Sequence, residues 1–310
     1  MNSNIGSKVS VAGVIGTGLM GVGIATQCAL HGLRTIVHDV DAARLAGVSA
    51  KAQAVLDELI DAGRIDAPAR EAALARIETS AQLDVMTQAQ FVFEAVPEVL
   101  DLKHRLYAQL NDVLAPDAIL ASNTSGFEPD RLAQALRAPE RFVIAHFWNP
   151  PHMIPLVEVV PGSATTPEVT ARTEALMSAI GMEPVVLAKS IAGFVGNRLQ
   201  FAVLREALNI VRSGAASPEV VDRVMKASLG RRWSIVGPLE SADMGGLDTF
   251  VDISSHLMPE LAKDEDVIDL LREQVAAGRV GVRSGAGFYE WDEARLARVK
   301  AARRRLIAGG

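Results

Sequence analysis

Short apolar runs alternate with stretches of helical period along the first 188 residues. Val9–Ile15, Leu33–His38, Phe91–Val96, Ala118–Ala121, Phe142–Ala145, Leu156–Val160 and Val185–Ala188 read as strands, being short, apolar and bounded by turn formers. Between them Leu19–His31, Ala42–Ala62, Leu102–Leu114 and Glu168–Ile180 space their apolar residues at helical intervals. This alternation predicts a Rossmann-like, doubly wound α/β sheet. From Val195 onward only helical patterns remain: Val195–Val211, then Pro218–Leu229 with Ser217 as N-cap and Pro218 at the first helical position, then segments within Leu247–Leu261 and Val267–Ala276. The expected division is an α/β domain over residues 1–190 and an all-helical domain over residues 191–310.

Composition narrows the class. The 310 residues are 49% hydrophobic, enough to give each domain a core. No apolar stretch reaches membrane-spanning length, and the run after Lys8 is broken by glycines and lacks a cleavage-site pattern, so a cytoplasmic protein is expected. The single cysteine, Cys28, lies in a Gly-Ala-Leu-rich helical pattern and reads as a buried structural thiol. A formal charge of −6 argues against nucleic-acid binding, and the basic segment from Glu293 to Gly310 reads as a solvated terminal helix with a thin apolar stripe. No metal site is expected, because His146 and His152 are separated by a proline turn and have no further ligands at useful spacing.

Two motifs carry chemistry. Gly16-Thr17-Gly18-Leu19-Met20-Gly21 follows a predicted strand and opens a predicted helix. In that context Gly16 permits a tight turn, Gly18 lets the backbone approach a pyrophosphate, Gly21 allows close helix packing, and the helix N-terminus supplies amide donors. Asp39, at the end of the second strand, is placed to accept hydrogen bonds from a ribose diol, and its charge would repel a 2′-phosphate. The cofactor read from these residues is NAD. The second motif runs from His146 through Asn149-Pro150-Pro151 to Glu158. A histidine held by a carboxylate can take a hydroxyl proton and return it, with Glu158 fixing the tautomer. Local pattern alone does not require the two to meet.

Taken together, these blocks resemble the L-3-hydroxyacyl-CoA dehydrogenase superfamily, as do Glu94-Ala-Val-Pro-Glu98, Ser122-Asn-Thr-Ser125, Gly193-Phe-Val-Gly-Asn197-Arg198 and Ser284-Gly-Ala-Gly-Phe-Tyr289. The resemblance implies His146 as general base, Glu158 as its orienting partner, and Ser125 and Asn197 as donors to the substrate oxygen. It places Glu98, Lys103, Ser125 and Asn149 near the nicotinamide half of the cofactor, and puts Arg283 where the family has a cofactor-contacting lysine. It also implies a homodimer formed by the helical domain, with Phe194, Val203, Leu204, Leu208 and Val211 as the candidate apolar face.

The chain departs from the acyl-CoA members in two places. Their lysine-rich helix after the second strand meets CoA phosphates, whereas Asp41 to Ala62 here carries only Arg44 and Lys51 against four carboxylates, with Arg64 just beyond. Pro155 stands where those enzymes have a lysine, and Asn149-Pro-Pro…Ile-Pro-Leu-Val-Glu158 is closer to the L-gulonate dehydrogenase and lambda-crystallin branch. Arg232-Trp233 is similar to a pair in the gulonate and carnitine dehydrogenases and would clamp a substrate carboxylate. The expected activity is NAD-dependent oxidation of a hydroxyl β to a carboxylate or thioester, leaning to a short free hydroxy acid. Ordinary 3-hydroxybutyryl-CoA oxidation, pyridine-aldehyde oxidation and a non-catalytic crystallin-like role are the alternatives.

Overall fold

A computed structural model describes residues 9–309; Lys8 and Gly310, used in the reading above, lie outside the described residues. The chain divides into two compact units, residues 9–194 together with 299–309, and residues 195–298.

The first unit is built on eight strands, β1 (Val11–Ile15), β2 (Arg34–His38), β3 (Ile77–Ser80), β4 (Phe91–Glu94), β5 (Ile119–Ser122), β6 (Phe142–Phe147), β7 (Leu156–Pro161) and β8 (Glu183–Val186). Their order in the sheet is β3-β2-β1-β4-β5-β6-β7-β8, and all neighbours are parallel except β6 and β7. The first six strands thus follow the doubly wound order, which reverses direction between β1 and β4 and opens a crevice at the carboxyl ends of the strands. Seven helices accompany the sheet: α1 (Leu19–Leu30), α2 (Ala42–Ala46), α3 (Val48–Asp61), α4 (Ala67–Leu74), α5 (Leu100–Val113), α6 (Pro129–Ala133) and α7 (Pro167–Ala179). The segment expected as one helix over Ala42–Ala62 is two, meeting at Gly47.

Both faces of the sheet are apolar, as a parallel sheet between helical layers requires. Val14, Phe91, Phe93, Ala145 and Phe147 join residues of α1 and α7 in one core cluster, while Ile36, Val92, Leu120 and Phe142 join Tyr107 and Leu110 of α5 in another. Each fully buried Leu, Ile or Phe side chain contributes about 1.5–3 kcal/mol of transfer free energy. Residues Gly21 to Ala29 of α1 are all buried. Cys28 is among them, and burial pushes its thiol up to about 12, so it behaves as a small apolar side chain.

The second unit contains α8 (Gly196–Arg212), α9 (Pro218–Ala227), α10 (Leu229–Trp233), α11 (Pro238–Gly245), α12 (Leu247–Leu257), α13 (Asp269–Ala276) and the start of α14 (Glu293–Gly309). Its surface is rich in apolar side chains, including Leu199, Phe201, Val203, Val224 and Leu239. The face expected to be exposed differs from the one found. Leu208 is buried, Leu204 and Val211 are half-buried, and Phe194 is buried in the first unit, while Leu199, Phe201 and Val203 face solvent. No described helix is long and apolar enough to cross a membrane.

Candidate active site

The carboxyl ends of β1, β2, β4, β5 and β6 bring the predicted side chains of the first unit to one edge of the sheet. At β1 the chain turns at Gly16, whose φ of +110° is open to glycine and strained for other residues. A Cβ on Gly16 would stand 2.6 Å from the Ala95 carbonyl oxygen, and one on Gly21 only 2.0 Å from the Gly16 oxygen. Both glycines are therefore required by close backbone approach. Gly18 meets nothing within 4 Å, so its outer side is open for a phosphate to reach the backbone. The first turn of α1, with Leu19 exposed and Met20 half-buried, carries no acidic side chain, and Gly18 gives it no side-chain cap. Its N–H groups and dipole suit an anion.

Asp39 lies beside this turn. Its Oδ2 accepts hydrogen bonds from the Thr17 hydroxyl at 2.6 Å and the Thr17 N–H at 3.2 Å, and its Oδ1 from the Asp41 N–H at 3.1 Å. Burial alone would raise this carboxyl, but the hydrogen bonds from Thr17 and Asp41 outweigh it and hold the carboxyl below its ordinary range. Asp39 is thus ionised at neutral pH, as an acceptor for a ribose diol must be. Gly16, Thr17, Gly18 and Asp39 fit the pyrophosphate and ribose of a dinucleotide.

His146 and Glu158 meet. They are directly opposite one another in the antiparallel β6–β7 ladder, and His146 Nδ1 lies 3.0 Å from Glu158 Oε2 with both side chains buried. An ionised carboxylate accepts only, so Nδ1 carries the proton and Nε2 is left as the ring's acceptor. Trp148 donates from Nε1 to the same Oε2 at 3.3 Å, and the ring of Phe194 stands 5.5 Å from the imidazole. Neither was assigned to the site by the sequence, which put Phe194 on the dimer face. Phe194 adopts a left-handed φ of +50° after Gly193 and packs with Ile144, Val160 and Leu187, walling one side of the histidine.

The loops after β4 and β5 share a buried polar chain. Glu94, fully buried, accepts from Lys103 Nζ at 2.7 Å, Tyr107 hydroxyl at 2.6 Å, Ser122 hydroxyl at 2.7 Å and the Val96 N–H at 2.9 Å. Lys103 is only 1% exposed and also stands 3.3 Å from Glu98 Oε2. The Thr124 hydroxyl donates to Glu98, which ties the residue before Ser125 to this chain. Burial, then the Glu94 charge and hydrogen bond, push Tyr107 well above the usual phenol range, so it remains a donor. Glu94, Tyr107 and Ser122 had no assigned role in the sequence reading. Glu94 and Ser122 open two of the blocks that carry the family resemblance, and only the fold reveals Glu94 as the acceptor shared with Tyr107.

Ser125 follows β5 and is exposed, as is Asn149 in the loop after β6, where the Asn149–Pro150 peptide is cis. Asn197 occupies the first turn of α8, Arg232 is exposed in α10, and Arg283 is exposed in a short 3-10 turn, all within the second unit.

A doubly wound sheet with this glycine turn, an ionised Asp39 and a buried histidine–carboxylate couple at the strand ends defines the class, an NAD-dependent dehydrogenase acting on a CH–OH group. The chain belongs to the 3-hydroxyacyl-CoA dehydrogenase family: residues 11–191 match its NAD binding domain and residues 193–291 its C-terminal domain. The 5-formyl-3-hydroxy-2-methylpyridine 4-carboxylate 5-dehydrogenase of Mesorhizobium japonicum is 34% identical over 95% of each chain. A probable 3-hydroxybutyryl-CoA dehydrogenase of Deinococcus radiodurans is 36% identical over 281 residues, 90% of this chain and 99% of that one. A crystal structure of the pyridine-carboxylic acid 5-dehydrogenase, described as an NAD+ dependent dismutase, superimposes with a TM-score of 0.86 at 32% identity and 97% coverage of both chains.

Proposed function

We propose that the protein oxidises a hydroxyl group β to a carboxylate, with a short free hydroxy acid as the preferred substrate and His146 as the base. The observation that carries this reading is the buried contact between His146 Nδ1 and Glu158 Oε2. It leaves Nε2 to take the hydroxyl proton, while Glu158, steadied by Trp148, stabilises the imidazolium that forms. Ser125 and Asn197 donate to the oxygen as it gains carbonyl character, and Arg232 pairs with the substrate carboxylate. Gly16 to Gly21, Asp39, Glu98, Lys103, Asn149 and Arg283 hold the cofactor. NAD, when bound, supplies the hydride acceptor. In the reverse direction the protonated His146 returns its proton.

The lean toward a free acid rests on the cations around α3. Lys51 donates to the Thr17 carbonyl at 3.1 Å, Arg44 pairs with Asp41 at 3.3 Å, and Arg64 donates to the Ile307 carbonyl at 3.1 Å. The positive groups that could meet a CoA phosphate are thus engaged within the chain, around a helix, α3, that is acidic overall. The whole-length likeness to the pyridine-carboxylate enzyme supports a second reading, a carboxylate-bearing pyridine aldehyde reacting as its hydrate. There His146 would take a proton from the hydrate, and the product would be the acid. The exposed apolar side chains of α8, Leu199, Phe201 and Val203, support a homodimer, which we place in the cytoplasm.

The test is NADH formation on a panel of L-3-hydroxybutyrate, L-gulonate, L-carnitine, L-3-hydroxybutyryl-CoA and a carboxylated pyridine aldehyde. The highest kcat/KM is expected on a free acid. Preference for the thioester would overturn the substrate reading in favour of ordinary fatty-acid chemistry, and no turnover on any member would favour a crystallin-like role. A monomeric mass at micromolar concentration would contradict the dimer.

A further inference from the structure

The basic C-terminal segment is a largely exposed helix, as expected, but its end is docked through one buried residue, Ile307. The C-terminal domain match ends at residue 291, and α14 begins at Glu293, so this helix lies outside the matched domains. From residue 299 it belongs with the first unit. Ile307 is buried with Ala29, Leu56, Leu59 and Ala73, and Met153 packs against the same cluster. Around this apolar contact sit Arg303 Nη2, 3.5 Å from Glu58 Oε2, and Arg304 Nη2, 2.8 Å from Asp61 Oδ2.

One partner of this helix, Met153, and a residue that shares its Glu58 anchor, His152, lie in the loop that joins His146 to Glu158. Arg303 Nε donates to Met153 Sδ at 3.2 Å, and His152 Nε2 lies 3.1 Å from the same Glu58 oxygen that Arg303 approaches. His152 is buried there, with Nδ1 lacking a hydrogen-bond partner, a cost accepted only where packing holds the ring. On its other side the loop is pressed to α1: a Cβ on Gly23 would lie 3.0 Å from Pro151 Cδ. The loop therefore lies between α1 and the end of α14. Of its neighbouring residues, Trp148 donates from Nε1 to Glu158 Oε2, and Asn149 is assigned to the cofactor in the proposed site.

We infer that residues 299–309 are a strap that fixes the loop between His146 and Glu158, with Arg303 and Ile307 as its positioning residues. The strap touches no reacting atom. It holds Met153 directly and His152 through their shared partner Glu58, and through them keeps Trp148 against Glu158. Without it the loop retains its strands but loses one of its two walls. This inference rests on His146 as the base and is independent of which substrate the enzyme prefers.

The variants Ile307→Asp, Ile307→Leu and Arg303→Ala separate the alternatives, assayed as kcat per NADH-binding site on the best substrate of the panel, with hydrogen exchange followed at Met153 and Ile154. Both amides bond the Pro150 carbonyl, so they report the loop directly. The expected result for Ile307→Asp is a kcat lowered about 10–100-fold, as for a displacement of order 1 Å at a catalytic group, with NAD affinity reduced far less than kcat and faster exchange at both amides. Ile307→Leu should restore kcat, and Arg303→Ala, whose side chain is partly exposed and tolerates truncation, should show a smaller loss of the same kind. Wild-type kcat per site in both Ile307→Asp and Arg303→Ala, or a lowered kcat with unaltered exchange, would overturn the strap. If His146→Gln keeps wild-type turnover, the base assignment fails instead.

Discussion

Glu94→Gln removes one charge from the buried chain behind the site and changes almost no volume. In the wild type, Lys103 is 1% exposed and its Nζ lies 2.7 Å from Glu94 Oε1. Its second carboxylate, Glu98, is 3.3 Å away but 41% exposed. A glutamine carbonyl can still accept from Lys103 and Val96, and the hydroxyls of Tyr107 and Ser122 can rotate to accept from its amide, so the hydrogen-bond count survives. What is lost is the buried counter-charge. Breaking such a pair costs about 3–5 kcal/mol, and partial compensation by Glu98 puts the expected loss near the lower end, about 3 kcal/mol. Glu94→Leu also takes the acceptor from the Tyr107 and Ser122 hydroxyls and the Val96 N–H, each costing roughly 1–3 kcal/mol more, and should exceed about 5 kcal/mol. Urea unfolding at pH 7 followed by tryptophan emission measures both. A Gln variant within about 1 kcal/mol of wild type would refute the idea that Glu94 neutralises Lys103.

Asp39→Ala should weaken NAD binding roughly 10–100-fold, the worth of about 1.5–3 kcal/mol of charged hydrogen bonding, and narrow the preference over NADP; calorimetric titration with both dinucleotides checks it. Unchanged NAD affinity would remove Asp39 from the cofactor site. Burial lowers the folded-state pKa of His38 despite its Ser80 carbonyl partner and Asp39, and lowers that of His152 despite Glu58, with Arg303 adding to the depression. Their unfolded forms therefore bind protons first: the stability they contribute is complete above about pH 6.5 and lost as pH falls through their lowered folded values. The urea midpoint should fall between pH 7.5 and pH 5.5 by these rough bounds, and less steeply in His152→Asn; a midpoint that rises on acidification would contradict the sign.

Much of the architecture was legible because burial leaves a mark on the chain. Strands β1, β2 and β4 to β7 each carry a short apolar-rich stretch, and the glycines of the first turn sit between a strand and a helix. β3 was not legible, since Ile77-Glu-Thr-Ser80 is a polar edge strand with one apolar residue. The meeting of His146 and Glu158 became certain only with the antiparallel register of β6 and β7, which no local pattern specifies. Phe194 carries no sign of its left-handed backbone, so its helical neighbours suggested an exposed face. The docking of α14 had a signal that went unused: an acidic helix around Glu58 and Asp61 and a basic tail around Arg303 and Arg304 are complementary.

The central claim is that His146 takes the proton during hydride transfer. Single-turnover NADH formation by His146→Gln, on the best substrate of the panel and at saturating NAD, tests it directly. The rate should fall by about 10²–10⁴-fold while NAD affinity is unchanged. A rate close to that of the wild type would contradict the account.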